Sequence, residues 1–184
     1  MKEMIFAGFG GQSVLTAGLV TAYIAGAADL NPTWMPSYGP TMRGGKANCT
    51  VKFADEPGGL VTSPCMEEAD VLVAMNRPSL DYLAFCKPGA DVFVNSNAVS
   101  DYQYPEGLNI HELPVVEMAL EVNNPRGAAL IMTGAVLKTI GTFDEEFVVK
   151  HMRAMFDEKG KGSFNDANER ALRLGFNTNL CTKK

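Results

Sequence analysis

Ile5-Phe6-Ala7-Gly8-Phe9-Gly10-Gly11-Gln12-Ser13 is a short apolar segment that runs into a glycine loop. Met4 to Ala7 reads as a buried strand. Gln12 to Ala27 reads as a helix that is apolar on most faces, with Val14, Leu15, Leu19 and Ile24 among its side chains, and Asn31-Pro32 stops it. A helix without a polar face is sandwiched inside the protein or covered by a partner. A strand, a glycine loop and a helix in that order expose backbone N–H groups at the positive end of a helix dipole, an arrangement suited to a phosphate.

Outward from this start, strand and helix patterns alternate. Lys46 to Phe53 places Cys49, Val51 and Phe53 on one face and reads as a strand, and Asp55-Glu56-Pro57-Gly58-Gly59 reads as a turn. Asp70 to Met75 is a continuous apolar run, as in a buried parallel strand. Pro78 to Cys86 predicts a short helix with proline in its first turn, and Ala90 to Val94 and Asn109 to Leu113 predict two more strands. Helices are expected over Val116 to Val122, Pro125 to Gly141, Asp144 to Lys159 with its acidic start, and Asn165 to Leu174. The whole predicts an α/β fold, a single layered domain over residues 1–176 with a mainly parallel or mixed sheet flanked by helices, followed by a polar tail, 177–184, that frays. Ligand loops in such a fold sit at the carboxyl ends of the strands.

Composition narrows the function. The chain has 184 residues, 46% of them hydrophobic, enough for one real core, and a net charge of −5. That charge argues against a nucleic-acid partner, because phosphate-backbone affinity needs a basic surface, so an anion must be held by a local site. No run of about 18 apolar residues would span a bilayer, and the expected location is cytoplasmic, with no membrane partner. Cys49, Cys65, Cys86 and Cys181 are 16, 21 and 95 positions apart. That spacing matches no local zinc or iron–sulfur motif and suits free thiols in a reducing compartment.

Gly8-Phe9-Gly10-Gly11-Gln12-Ser13 matches the dinucleotide pattern G-x-G-x-x-G except that Ser13 replaces the last glycine. A dinucleotide domain also needs an acidic residue near the end of its second strand, and Asp29 falls where the first helix ends. An independent nucleotide-binding Rossmann-like protein is therefore the weaker reading. A plainer alternative is that these glycines serve close helix–strand packing.

A second glycine-rich loop, Pro36-Ser37-Tyr38-Gly39-Pro40-Thr41-Met42-Arg43-Gly44-Gly45-Lys46-Ala47-Asn48, follows about one helix later. G-x-G-G-Q followed by S-Y-G-P-x-M-R-G-G-x-A-N-C-T-V resembles the gamma subunit of the 2-oxoacid:ferredoxin oxidoreductases, also found as a domain of single-chain pyruvate:ferredoxin oxidoreductases. The resemblance covers nearly the whole chain, since Asn123-Asn124, the apolar helix through Gly141, and Asn168 to Gly175 fit the family's C-terminal pattern. Ser13 stands where the family often has glycine, and Thr41 where glutamate is common.

The resemblance implies a multi-subunit enzyme that oxidatively decarboxylates a 2-oxoacid (pyruvate, 2-oxoglutarate or 2-ketoisovalerate) to an acyl-CoA. Thiamine diphosphate, magnesium and iron–sulfur clusters are expected on partner subunits, namely alpha, beta and delta, with ferredoxin as electron acceptor. This chain is expected to assist coenzyme A binding and to be inactive alone. A short chain of this type is read as favouring 2-oxoglutarate or a branched-chain 2-oxoacid. No catalytic residue and no metal ligand is assigned to it.

The cofactor-binding candidates are Gly8, Gly10, Gly11 and Gln12 as a backbone nest, with Ser13 as a side-chain donor. Arg43 is a planar fork and Lys46 a point charge for phosphates. Gly44 and Gly45 let the loop come close to a ligand. Asn48 holds the loop or touches ligand, and Tyr38 stacks on an adenine or thiazole ring or packs against a partner. The competing reading is an interaction subunit with no ligand of its own, in which Arg43 pairs with a neighbouring subunit. The apolar first helix points to an interface, with a homodimer of the isolated chain as one form of it. His111 and His151 are read as packing or surface residues, and Met35, Met42, Met66, Met75 and Met118 as adaptable packing.

Overall fold

The computed structural model describes residues 1–39, 44–65, 67–180 and 182–183, and for Tyr38, Thr182 and Lys183 the backbone only. One seven-stranded sheet runs in the order β2-β3-β1-β4-β5-β6-β7. Its strands are β1 (Lys2–Phe9), β2 (Thr33–Tyr38), β3 (Lys46–Phe53), β4 (Ala69–Ala74), β5 (Cys86–Asn95), β6 (Asn109–Leu113) and β7 (Thr182–Lys183). β1, β4, β5 and β6 are parallel neighbours. β3 is antiparallel to both β1 and β2, and β7 is antiparallel to β6. The sheet is therefore mixed.

Successive side chains of a strand point to opposite faces, and both faces are buried. Met4 and Phe6 of β1 join Cys49, Val51 and Phe53 of β3 under a helical layer. Ile5 and Ala7 join Leu72, Val92 and Ile110 on the opposite side, beneath Leu80 and Leu83 of a 3₁₀ helix, Arg77–Phe85. The helical layer contains α1 (Val14–Ala27), α3 (Ala128–Ile140), α4 (Glu145–Glu158) and α5 (Asn165–Phe176), while α2 (Val115–Glu121) follows β6. Asp144 caps α4 by accepting from the Phe147 N–H at 2.8 Å, and Glu145 and Glu146 fill its first turn, as the acidic start predicts.

The expectation that α1 marks an intermolecular interface is corrected by its surroundings. It packs between the sheet and α3 and α4 of the same chain, and Val14, Val20, Ile24 and Ala25 are buried there. Gly18 allows the approach, since a Cβ at that position would collide with the Cys49 sulfur of β3. The helix is apolar all round because one chain covers both of its sides.

Two strands depart from the expected pattern. Residues 33–38 form β2 although Pro36 interrupts them. Proline is tolerated because β2 is at the edge of the sheet, paired on one side only, with Pro36 opposite Cys49. The tail does not simply fray: Thr182 and Lys183 pair with His111 and Ile110. The Pro78 helix is 3₁₀ in type, with Asn76 as its cap.

Candidate functional site

The pairing of β1 with β3 brings the two glycine loops together. Phe9 lies opposite Lys46 and Gly8 opposite Ala47. Beyond the strands the Gly10 N–H donates to the Gly45 carbonyl at 2.9 Å, and the Gly44 N–H donates to the Gly10 carbonyl at 3.3 Å. The Gly39 N–H donates to the Lys46 carbonyl at 2.9 Å and closes the second loop as the connection between β2 and β3. Two stretches about one helix apart in sequence thus become one hydrogen-bonded platform, at the carboxyl end of β1 where its antiparallel and parallel neighbours meet.

Each glycine has its own reason. A Cβ on Gly8 would lie 2.7 Å from Val14 Cγ1 and 2.9 Å from Gln12 Oε1, so Gly8 serves close packing, as the plainer alternative holds. Gly11 has φ of 105° and Gly44 has φ of 76°, with nothing within 4 Å of an added Cβ. These two serve the backbone conformation and lie open to solvent.

Hydrogen bonds divide the expected nest. The N–H of Gly10 is taken by Gly45, and that of Gln12 by the Phe9 carbonyl at 3.0 Å. The Gln12 side chain also faces inward. Its Oε1 accepts from the Phe9 N–H at 2.7 Å and from Asn76 Nδ2 at 2.8 Å, and its Nε2 donates to the Met75 carbonyl at 3.2 Å. The reading of Gly10 and Gln12 as direct phosphate donors is corrected accordingly: in this conformation they shape the loop. Among the described residues the N–H groups of Gly11 and Ser13 have no acceptor, and the first turn of α1 opens beside them. Ser13 is left-handed, with φ of 60°, and its hydroxyl makes no capping bond. It lines the mouth of a cleft shared with α3 and α5.

The remaining candidates lie around the rim. Lys46 Nζ is 2.9 Å from Asp81 Oδ2 on the 3₁₀ helix, and both side chains are more than half exposed. Asp81 raises the Lys46 pKa by hydrogen bonding. An exposed pair of this kind is weakly held and releases its lysine readily. Asn48 Nδ2 donates to the Tyr82 hydroxyl at 2.6 Å. The backbone of Tyr38 pairs with Ala47. Arg43, with Thr41, Met42, Met66 and Cys181, lies outside the described residues. Between Gly8, Lys46, Asn76 and Tyr82 is a crevice of only about 10 Å³, so the platform presents a surface to a ligand.

Sequence reading missed the floor of this site. Asn76 Oδ1 accepts from the backbone N–H of Ser79 at 3.1 Å and from its hydroxyl at 2.8 Å, and Asn95 Nδ2 donates to the Met75 carbonyl at 3.1 Å. All three side chains belong to buried residues. The network joins the carboxyl ends of β1, β4 and β5. The available signal was an asparagine at the end of two successive apolar strands.

The histidines are packed, as expected. His111 is buried on β6, 2.8 Å from Asp91 Oδ1 and against the Phe93 ring, and His151 lies beside Phe147 on α4. No group of three metal-ligating side chains occurs among the described residues. No described helix is long and apolar enough to cross a membrane.

The family model for pyruvate ferredoxin/flavodoxin oxidoreductase matches residues 3–178. The chain belongs to that family. The match runs from the start of β1 to the end of α5 and includes the platform. Ketoisovalerate oxidoreductase subunit VorA of Methanothermobacter marburgensis is 36% identical over 170 residues, 92% of this chain and 34% of that protein. The chain therefore spans about a third of this relative's length. The gamma subunit of a keto/oxoacid ferredoxin oxidoreductase from Geobacter sulfurreducens superposes with a TM-score of 0.79 at 26% identity, covering 96% of each chain. A 2-oxoglutarate:ferredoxin oxidoreductase from Magnetococcus marinus, solved with 2-oxoglutarate, coenzyme A and succinyl-CoA, shares the fold, with a TM-score of 0.77 at 20% identity over 98% of this chain and 32% of that one. These members of the pyruvate ferredoxin/flavodoxin oxidoreductase family and their structural neighbours are subunits or chains of oxidoreductases acting on 2-oxoacids.

Proposed function

We propose that this chain is the gamma component of a 2-oxoacid:ferredoxin oxidoreductase. In this reading it contributes to coenzyme A binding and to assembly around thiamine diphosphate, with residues 1–176 as the working domain and 177–184 as a tail. The observation that carries the coenzyme A assignment is the joining of two glycine loops into one platform beside the open first turn of α1. The N–H groups of Gly11 and Ser13 would meet a phosphate, Lys46 would exchange Asp81 for it, and Arg43 would supply the second cation. Tyr38 would stack on a flat ring, and Asn48 would hold the rim through Tyr82. Coenzyme A supplies the thiol that accepts the acyl group. The ligand named for the Magnetococcus marinus enzyme supports this choice.

Thiamine diphosphate, magnesium and the iron–sulfur clusters belong in this reading to the alpha, beta and delta partners, with ferredoxin as acceptor and the cytoplasm as location. The 2-oxoacid is 2-oxoglutarate or a branched-chain acid, in keeping with the ketoisovalerate and 2-oxoglutarate named for the relatives.

One observation favours the alternative of an interaction subunit: Lys46 is already paired, and the crevice beneath it is nearly closed. The test uses the co-expressed assembly and measures 2-oxoacid- and coenzyme A-dependent reduction of a low-potential acceptor. A raised KM for coenzyme A in Arg43→Ala/Lys46→Ala at unchanged subunit stoichiometry supports ligand binding. Loss of the complex supports the alternative, and unchanged kinetics overturns the assignment of these two residues.

A further inference from the structure

The connection from β3 to β4 crosses β1, because β4 lies on the far side of β1 from β3. Where it crosses, the sheet is charged. Glu3 and Lys52 face each other in the β1–β3 register, on the side that carries Ile5 and Ala7. The 3₁₀ helix covers Ile5 and Ala7. The charged pair lies instead under residues 60–65 of the crossing connection, and the Lys52 side chain is left only 2% exposed.

This cover is held differently from the rest of the fold. Residues 60–65 belong to no helix or strand and make no backbone-to-backbone hydrogen bond. None of them is buried, and Leu60 is 82% exposed. Among the described residues, two ties bind the segment to the sheet. Lys52 Nζ donates to the Cys65 carbonyl at 2.8 Å, and the Glu67 N–H donates to Glu3 Oε2 at 3.2 Å. Both ties end on the same ion pair, Lys52 Nζ being 3.3 Å from Glu3 Oε1.

Lifting the segment off the sheet gives up little apolar burial, and it returns a buried ammonium and a carboxylate to water, which recovers the desolvation that burying them costs. Lifting β1, β3 or β4 breaks ladders of hydrogen bonds and opens the apolar core. The two events are separate in free energy, as local openings are from global unfolding.

We propose that residues 60–65 are a latch that opens as one unit while the sheet stays folded. Shut, it hides the Glu3–Lys52 pair. Open, it presents an ammonium and a carboxylate side by side on the sheet and frees an arm of chain that begins with the apolar Leu60. The inference does not depend on what the glycine loops bind.

Two probes in the full 184-residue chain test it. Amide exchange followed by NMR reports on the Glu67 N–H, which is protected only while the latch is shut. Acylation by an N-hydroxysuccinimide ester, read by mass spectrometry, reports on the Lys52 amine. Both are expected to follow the same opening, with Glu67 at least about a hundredfold less protected than Phe6 and Leu72 at the centre of the sheet and nearly insensitive to low urea. Pro64→Gly alters an exposed residue outside every helix and strand, so the variant folds. By giving the open segment more freedom it is expected to speed both probes about two- to fivefold. Three outcomes would overturn the proposal. Protection of Glu67 equal to that of Phe6 and Leu72 would mean that the segment leaves only with the whole fold. Rapid exchange at Glu67 with Lys52 acylated only on global unfolding would mean that one hydrogen bond frays and the segment stays. Probes left unchanged by Pro64→Gly would mean that residues 60–65 gain no freedom in the exchanging state.

Discussion

The side-chain carbonyl of Gln12 accepts a hydrogen bond from the Asn76 amide at 2.8 Å and so ties the turn after β1 to the turn after β4. The same oxygen accepts from the Phe9 N–H. Gln12→Ala removes both hydrogen bonds at once and leaves the buried Asn76 amide unpaired. The expected cost is about 1–3 kcal/mol, read from urea unfolding, together with faster amide exchange at Phe9. A variant as stable as the parent would show that water replaces the glutamine.

Lys52 is 2% exposed at its side chain and lies 3.3 Å from Glu3 Oε1. It also donates to the Cys65 carbonyl at 2.8 Å, and Glu3 accepts from the Glu67 N–H at 3.2 Å. Glu3→Ala strands a buried ammonium and is expected to cost about 3–5 kcal/mol, whereas replacing both with apolar residues, Glu3→Leu with Lys52→Met, is expected to recover most of that. Chemical denaturation of the single and double variants checks the expectation, and an unrecovered double variant would refute it.

Arg173 on α5 reaches Glu145 at 3.0 Å and Glu146 at 2.6 Å on α4, as well as Glu169 at 2.9 Å on its own helix. Its hydrogen bonds hold the Glu146 and Glu169 carboxyls below their ordinary value of 4.5. A carboxylate whose pKa is lowered by folding contributes stability that is whole above its unfolded value and is lost as the pH falls through the folded one. The difference in Tm between the parent and Arg173→Ala is therefore expected to be flat around neutrality and to shrink on acidification below about 4.5. Added salt should shrink it as well. A difference that grows in acid would contradict this account.

Burial pushes the Cys49 thiol up to about 12 and the Cys86 thiol up to about 11, while Cys65 is exposed. Because the thiolate is the reactive form, iodoacetamide near neutral pH is expected to modify Cys65 well before the other two. Mass spectrometry on a chain carrying Cys181→Ser reads the order. Early modification of Cys49 would mean that α1 lifts from β3.

Much of the fold can be read from local pattern. β1, β3, β4 and β6 are apolar or alternating runs between turn residues, and α4 announces itself by Asp144-Glu145-Glu146. β2 is hidden because edge strands admit proline. β7 is hidden because its two residues are placed by β6, some seventy positions earlier. α1 illustrates a different limit, since apolarity on all sides shows that a helix is covered but not by what. At the site, the two glycine loops are each legible from their composition, and their meeting comes from the pairing of β1 with β3. The engagement of Gln12 with Asn76, 64 positions away, and of Lys46 with Asp81, 35 away, is not legible there. Such pairings arise only when the strands are side by side. The Asn124–Asn168 pair bridges 44 positions and is invisible for the same reason.

The reversed direction of β3 governs how the platform can be altered. In an all-parallel sheet, the loop before a strand and the loop after its neighbour lie at opposite ends. Because β3 runs against β1, the segment preceding it shares an end with the segment following β1. The two loops are thus coupled through strand length: β3 acts as a ruler, at about 3.4 Å per residue. Inserting two residues into it would preserve which side chains face inward and displace one glycine loop from the other by about 7 Å. Insertions at the distal turn, residues 55–59, would leave that ruler untouched, which makes this turn the natural place to graft a tag or a reporter.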